Sequence, residues 1–399
     1  MTAITTIATP EPLSSTIGPR FARGLWRIAA ADASSGNEVE LMRDGARIFD
    51  AMIEVIELAK ETVMLEAYMF VNDSVGERFC VALLAAAARG VKVRVIADWA
   101  GSRETSRSFW RELRAGGVDV RIFNKPGFRR WLGLLPRDHR KVLVADEEVC
   151  VTGGIGLAEV WSGFSGRGRK KRAPWRDTAV LIRGPAAEDM ARAFEAMWKR
   201  ANFEERRAAR RHMVRRARNT DTAPGQALGA VVGIIEGEPW RLRVARALQI
   251  QSVSAEKTIW IASAYFYPSS AEIEALCGAA LDGVDVRVLV PSKYDHPWVR
   301  MLTRSVYKQL LRNGVRIFEW NGIMMHAKTS VIDGRWVRVG STDFNPLGVA
   351  INYELDAVIE SQELGKEAEA MFLRDLEEST EIKSVSHAEK RPQLPSASL

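Results

Sequence analysis

The sequence predicts an α/β protein made of two duplicated halves, with mainly parallel sheets packed around a pseudo-twofold axis. Three observations predict it. Four segments of the first half return in the same order in the second, at a spacing too long for a solenoid, so a whole domain is duplicated. Helical and strand-like runs alternate, which favours layers of helix on sheet. Gly90, Gly117, Gly283 and Gly314 each stand between a helical run and a β-branched run, where a helix C-cap leads into a strand.

Residues 1–19 are rich in Thr, Ser and Pro and read as a mobile N-terminal tail. The first half spans 20–200. A helical stretch from Gly45 to Lys60 leads into the strand Glu61 to Tyr68, and an Ala-rich helix, Phe79 to Ala88, leads into Gly90 to Ile96. Gly117 to Phe123, His139 to Asp146 and Asp177 to Ile182 complete its strands. Residues 201–240 read as an Arg-rich helix and a linker through Thr220 to Gly225. The second half, 241–378, repeats the pattern in Lys257 to Tyr265, a helix from Ala271 to Leu281, Gly283 to Leu289, Gly314 to Phe318, His326 to Asp333 and Glu354 to Ile359. Residues 379–399 are polar and read as a second tail.

Composition narrows the function. Of 399 residues, 57 are Lys or Arg and 50 Asp or Glu, a net charge of +7, which favours an anionic partner. A hydrophobic content of 47% excludes disorder of the whole chain. The longest apolar runs, such as Val81 to Ala88, fall short of the ~20 residues of a membrane span. No charged start precedes an apolar core, so no signal peptide is expected. Cys80, Cys150 and Cys277 lie apart in apolar surroundings, which excludes a disulfide scaffold and a Cys-based zinc site and fits a reducing cytoplasm.

Five histidines occur, and two of them, His139 and His326, hold equivalent places in the repeat. Each is followed by a Lys two positions on (Lys141, Lys328), an Asp seven on (Asp146, Asp333) and a small pair fourteen on (Gly153-Gly154, Gly340-Ser341). Residues two apart in a strand face one side. A pseudo-twofold would therefore gather two imidazoles and two ammonium groups into one pocket. That pocket suits a phosphate diester. The lysines stabilise charge on the non-bridging oxygens. One neutral His attacks phosphorus, and the other, protonated, delivers a proton to the leaving oxygen. An acidic partner fixes the tautomer of a histidine used this way. Asp177 and Glu354, which open matched strands, are better candidates for it than Asp146 and Asp333, which end the motif strands at turns. No metal or cofactor is expected, because the pocket is cationic and no carboxylate cluster stands ready for a hard cation.

The doubled H-x-K-x4-D signature, followed by G-G and then G-S, resembles the phospholipase D superfamily. More narrowly the chain resembles bacterial cardiolipin synthases without transmembrane helices. Supporting runs are Leu65 to Phe70, Pro136 to Lys141, Trp175 to Thr178, Ala264 to Pro268, Val290 to Pro297, His326 to Lys328 and Asn352 to Glu354. The resemblance implies two phospholipase D-like halves and transfer of a phosphatidyl group from phosphatidylglycerol or a related phospholipid through a phosphohistidine. It implies that Glu354 orients His139, that Asp177 orients His326, and that His139 is the nucleophile. Gly154, Ser341 and Asp343 are expected at the substrate, and the aromatic run Tyr265 to Tyr267 with the apolar run Trp131 to Leu135 is expected to line an acceptor channel. Gly156 and Asp343 stand where the family usually has Asn, and Asn345 where it usually has Asp.

Partners follow from weaker features. The basic loop 167–172, seven arginines in 206–218 and the apolar run Trp131 to Leu135 suit an anionic membrane surface, and hence a cytoplasmic protein peripherally held at the inner face of the membrane. His296 reads as a pocket residue rather than a catalytic one, and His212 and His387 as bystanders. The alternatives are hydrolysis of the same diester, a nuclease acting on nucleic-acid phosphodiesters, and a non-catalytic binding relic. The absence of a basic stretch interleaved with aromatics argues against nucleic acid.

Overall fold

Gly90, Gly117, Gly283 and Gly314 all adopt left-handed backbone angles, with φ between 88° and 95°. A Cβ at Gly90 or Gly283 would meet nothing within 4 Å, so the backbone angle and not space requires glycine there. Each glycine ends a helix and turns the chain into a strand.

The computed structural model describes residues 19–29, 31–125, 136–163, 173–202 and 229–384. The first half contains α1 (Pro19–Ala29), β1 (Asp32–Met42), α2 (Gly45–Leu58), β2 (Thr62–Ala67), α3 (Ser74–Ala88) and β3 (Lys92–Asp98). It continues through α4 (Arg107–Ala115), β4 (Asp119–Phe123), β5 (Lys141–Ala145), β6 (Val149–Gly153), β7 (Ala179–Arg183) and α5 (Ala186–Ala201). The second half contains β8 (Ala230–Gly237), α6 (Arg243–Val253), β9 (Thr258–Ser263), α7 (Ser270–Leu281), β10 (Asp285–Pro291), α8 (Pro297–Ser305) and α9 (Tyr307–Arg312). It ends with β11 (Arg316–Trp320), β12 (Lys328–Ile332), β13 (Trp336–Gly340), β14 (Glu354–Glu360), α10 (Gln362–Glu377) and β15 (Ser379–Ile382).

The strands run β4-β3-β2-β5-β6-β7-β1 in the first half and β11-β10-β9-β12-β13-β14-β8 in the second. The two orders match role for role, and the antiparallel β1–β8 pair joins them, so the pseudo-twofold lies between these two strands. β1 serves both halves. Asp32 to Asn37 pair with β8, and Glu38 to Met42 with β7, with the register shifting between Ser34 and Asn37.

Three expectations are corrected. The sheet is mostly antiparallel: only β2–β3, β3–β4, β9–β10 and β10–β11 are parallel. Those are the pairs with a helix between them (α3, α4, α7, and α8 with α9), and a parallel pair needs such a crossover. β5 and β6 are joined by a tight turn, which permits antiparallel pairing alone. Residues 230–237, assigned to the linker, form the central strand β8. Residues 379–382, assigned to a tail, form β15, which pairs with β11.

Both faces of the strands are buried. Leu65 packs with Phe49, Phe79 and Phe109 of α2, α3 and α4 on one outer face. Its neighbour Met64 points the other way, into a central layer with Phe194 of α5, Phe372 of α10 and Leu289. A third cluster covers the far face with Leu25, Leu248, Leu276 and Leu310. All three cysteines are buried and free.

One buried polar group ties the halves together. Arg140 is fully buried; it bonds the Ala193 carbonyl on α5 at 3.3 Å and Glu236 on β8 at 3.3 Å. Glu66 and Asp138 also face it, and burial pushes Asp138 up to about 7 and Glu66 well above the usual carboxylate range. Replacing Arg140 with Met removes the cation from among three carboxyl groups. The expected cost is about 3–5 kcal/mol in denaturant unfolding. The loss should be larger at pH 8 than at pH 5, because the raised carboxyl groups regain protons as pH falls and then need no counter-charge.

Candidate active site

His139 and His326 each sit two residues before a strand, β5 or β12, and each is fixed by the opposite half. The His139 amide donates to the Tyr353 carbonyl at 2.9 Å, and the His326 amide to the Arg176 carbonyl at 2.7 Å. Tyr353 and Arg176 directly precede Glu354 and Asp177, so this pairing delivers a carboxylate of one half to the imidazole of the other. His139 Nδ1 lies 3.0 Å from both Glu354 oxygens, and His326 Nδ1 lies 3.0 Å from Asp177 Oδ2. With Nδ1 donating to the carboxylate, Nε2 of each ring is left as the reactive nitrogen.

The carboxylates are held in turn. Ser341 Oγ donates to Glu354 Oε2 at 2.5 Å. Trp161 Nε1 donates to Asp177 Oδ2 at 3.0 Å, and the Thr178 amide to Asp177 Oδ1 at 2.8 Å. Each lysine is held beside its own histidine. Lys141 Nζ donates to the His139 carbonyl at 2.6 Å. Lys328 Nζ donates to the His326 carbonyl at 2.7 Å, contacts His326 Nε2 at 2.9 Å and lies 3.4 Å from Asp343 Oδ2.

Burial sets the electrostatics. Burial, and then the lysine ammonium groups, hold both imidazoles well below their ordinary range, which favours the neutral form of both. Burial brings Lys141 down to about 8, although Glu354 opposes it. Burial likewise raises Glu354 to about 8, Asp177 to about 6, and Asp343. An anion entering between the lysines relieves the strain of these buried cations. It also favours the charged form of one imidazole. The arrangement therefore supplies a neutral nucleophile, a proton donor that charges as substrate binds, and two cations for the non-bridging oxygens.

The sequence-predicted residues do not all meet here. His139, Lys141, His326, Lys328, Asp177, Glu354 and Asp343 converge, and Tyr265 joins them: its ring stands edge-on to His326 at 6.0 Å, with Lys328 over it at 5.6 Å. Asp146 and Asp333, expected among the catalytic groups, are elsewhere. Asp146 accepts the amides of Lys60, Glu61 and Thr62, each at 2.8 Å, where β2 begins. Asp333 does the same for Glu256, Lys257 and Thr258 at β9. Both have left-handed angles, φ 54° and 52°, which Asp tolerates in a turn. Each motif Lys opens a five-residue strand and each Asp directly follows its last residue, so the carboxylate emerges at the opposite edge. Gly154 and Ser341 lie behind the carboxylates. A Cβ on Gly154 would stand 2.2 Å from Asp177 Oδ1. At the unusual Gly156, a Cβ would stand 2.9 Å from the Trp161 ring, which occupies the space a side chain would need. His296 is largely exposed, with its Nε2 3.8 Å from Asp295 Oδ2. Segments 131–135, 167–172 and 206–218, with His212 and His387, lie outside the described residues.

Sequence reasoning missed three aromatic residues. Tyr68 stands edge-on to His139 at 4.9 Å with Lys141 5.4 Å from its ring, the counterpart of Tyr265. Its signal was present, since Tyr68 and Tyr265 end matched segments of the repeat. Trp161 and Trp175 pack against His326 at 5.5 and 5.9 Å. They have no partner in the repeat, so nothing in it marked them.

Two His-Lys pairs, each completed across a twofold by the other half's carboxylate, define a phospholipase D-like phosphodiester site. The family profile described as "Cardiolipin synthase, PLD-like domain" matches residues 52–198 and 250–376, and the chain belongs to this family. It is 33% identical over 360 residues to the cardiolipin synthase of Listeria monocytogenes serotype 4b (strain CLIP80459), covering 89% of this chain and 72% of that protein. It is 32% identical over 328 residues to cardiolipin synthase B of Escherichia coli (strain K12), covering 81% and 76%. The phosphatidylserine synthase of Haemophilus influenzae Rd KW20 shares the fold, with a TM-score of 0.70 at 14% identity over 92% of this chain and 93% of that one. Among the described residues no helix is long and apolar enough to cross a membrane.

The two kinds of carboxylate should part in mutagenesis. Asp146→Ala or Asp333→Ala strips three backbone amides of their acceptor and should lower unfolding stability by roughly 1–3 kcal/mol. Turnover per folded molecule should persist. Asp177→Asn or Glu354→Gln should leave stability nearly unchanged while turnover falls by about 10²-fold or more. A thermal melt and an initial-rate assay on each variant measure both effects.

Proposed function

We propose that this chain is a phosphatidyltransferase of the cardiolipin synthase type, acting on phosphatidylglycerol or a related phospholipid. The observation that carries the reading is the reciprocal pairing of His139 with Glu354 and of His326 with Asp177 around two buried lysines. His139 Nε2 attacks phosphorus, and the bond from phosphorus to the leaving oxygen breaks. His326 gives that oxygen its Nε2 proton. The hydroxyl of a second lipid then attacks the phosphatidyl-His139, returns a proton to His326 and frees His139. His139 is favoured as nucleophile because Lys328 engages His326 Nε2, and because His139 is the more open of the two, at 14% against 7% exposure.

Each phosphate-facing and acidic group is already engaged by protein partners, which supports catalysis without a divalent ion. Activity should survive EDTA; loss on chelation with recovery on adding Mg²⁺ would contradict the scheme. Quenching during turnover of radiolabelled phosphatidylglycerol should trap label on wild-type protein and on His326→Ala with an activated leaving group. His139→Ala should trap none. Cardiolipin should exceed phosphatidic acid among the products; phosphatidic acid as the main product at high acceptor density would make the chain a hydrolase.

The pH profile follows from Lys141. Its ammonium is charged below about pH 8 and neutral above it. kcat/KM, which reports the free enzyme, should therefore fall as pH rises through about 8. The corresponding limb of kcat should lie higher, because the bound anion holds the proton on Lys141.

A further inference from the structure

The second half presents large apolar side chains to solvent along one edge. β8 and β10 end at the edge where β12 and β14 begin, because Gly237 pairs with Glu354 and Ser263, the end of β9, pairs with Lys328. That edge is the mouth of the site. Just beyond β10, α8 exposes Trp298 (54%), Met301 (71%) and Leu302 (37%). Their spacing puts all three on one helix face, while Val299 and Thr303 on the other face are buried. Beyond β8, Trp240 (75%) and Leu242 (39%) are exposed, and between β13 and β14 so is Leu347 (53%).

These six are half of the twelve large hydrophobic side chains exposed among the described residues; the others are scattered singly on α1, α2, α3, α6, α7 and α10. The outward display is enforced. Trp240 and Leu242 hold left-handed angles, φ 67° and 51°, rare for bulky residues, and the Trp240 amide is tied to the Ala350 carbonyl at 2.7 Å. β8 and β10 are five strand positions apart in the sheet order, roughly 24 Å at ordinary spacing, with the site between them. The segment 291–312 that carries α8 contains Lys293, Arg300, Lys308 and Arg312 against one acid, Asp295, while its fifth cation, Arg304, is paired inward with Glu319 at 2.9 Å. Asp295 is committed inward, accepting from the Tyr265 hydroxyl at 2.7 Å.

We infer that this rim is the bilayer-docking surface: the apolar face of α8, flanked by basic residues, and the Trp240 and Leu347 turns seat the site mouth on an anionic membrane. A tryptophan and aliphatic side chains within a basic setting fit the headgroup boundary of such a membrane. Asp295 links α8 to Tyr265, so the docked helix is coupled to the wall of the pocket. The inference rests on the lipid-substrate reading above, and the arms below separate the two.

The test uses the full chain and co-sedimentation with vesicles of phosphatidylglycerol in phosphatidylcholine. The variant Trp298→Ser/Met301→Ser/Leu302→Ser should bind at least about tenfold more weakly than wild type, and Trp240→Ser/Leu347→Ser should also bind more weakly. Val253→Ser/Leu281→Ser, at the opposite edge, should bind as wild type does. Wild-type binding should weaken as salt rises. A thermal melt confirms that each variant is folded. Turnover of a short-chain, monomeric phosphatidylglycerol should fall far less in the α8 variant than turnover of vesicles. Unchanged vesicle binding in the folded α8 variant overturns the assignment. So does a wild-type dimer that the α8 substitutions dissociate without weakening vesicle binding, which would make the rim a self-association surface. Vesicle binding by a wild type that turns over neither vesicle nor short-chain lipid would uphold the rim and reject the lipid-transfer reading.

Discussion

Two backbone hydrogen bonds between the halves, His139 to Tyr353 and His326 to Arg176, hold the rest of the site in place. Each fixes the residue before an acid beside the histidine two positions before a strand. Once they form, Glu354 and Asp177 have little choice but to meet the opposite imidazole. Neither half builds a complete site alone, because each supplies a histidine and a lysine but lends its carboxylate away. The cost of keeping two ammonium groups, two imidazoles and three carboxyl groups out of water is met by this reciprocity.

That burial also sets what the pocket accepts. Burial favours the neutral form of both imidazoles, Lys141 holds its proton less firmly than an exposed lysine, and Asp343 lies 3.4 Å from the Lys328 ammonium. A phosphodiester supplies the negative charge that the lysines lack, so binding and protonation are linked. Asp343 also accepts the Tyr265 amide at 3.0 Å, and burial raises its carboxyl, so this acid shares the second-half lysine with any anion that approaches it.

The pseudo-twofold is broken where chemistry needs two different histidines. Trp161 and Trp175 pack against His326, and Trp161 also bonds its carboxylate partner, whereas among the described residues His139 has Tyr68 alone against its ring. Arg140, next to His139, is replaced by Ala327 beside His326, where the buried ion pair between the halves is instead Arg176 with Asp375. Equal motifs in unequal surroundings are how a duplicated domain assigns nucleophile and acid to chemically identical side chains.

The sequence by itself determined the duplication, the glycine-capped units, both His-Lys pairs and the two acids that serve them, because each rests on local pattern repeated in register. Tertiary structure decided what pattern could not reach. The motif aspartates were read with the histidines because they share a signature, yet five strand residues carry them to the far edge, where they cap β2 and β9. The sheets were read as parallel because helices alternate with strands, yet the tight turn between β5 and β6 forces the antiparallel arrangement that places Lys141 and Gly153 at one edge. β8 was hidden in an apparent linker because its apolar run shows no alternation, a consequence of burial on both faces between the halves. Trp161 and Trp175 lay outside the repeat, and what they touch is set by packing across the axis rather than by spacing along the chain.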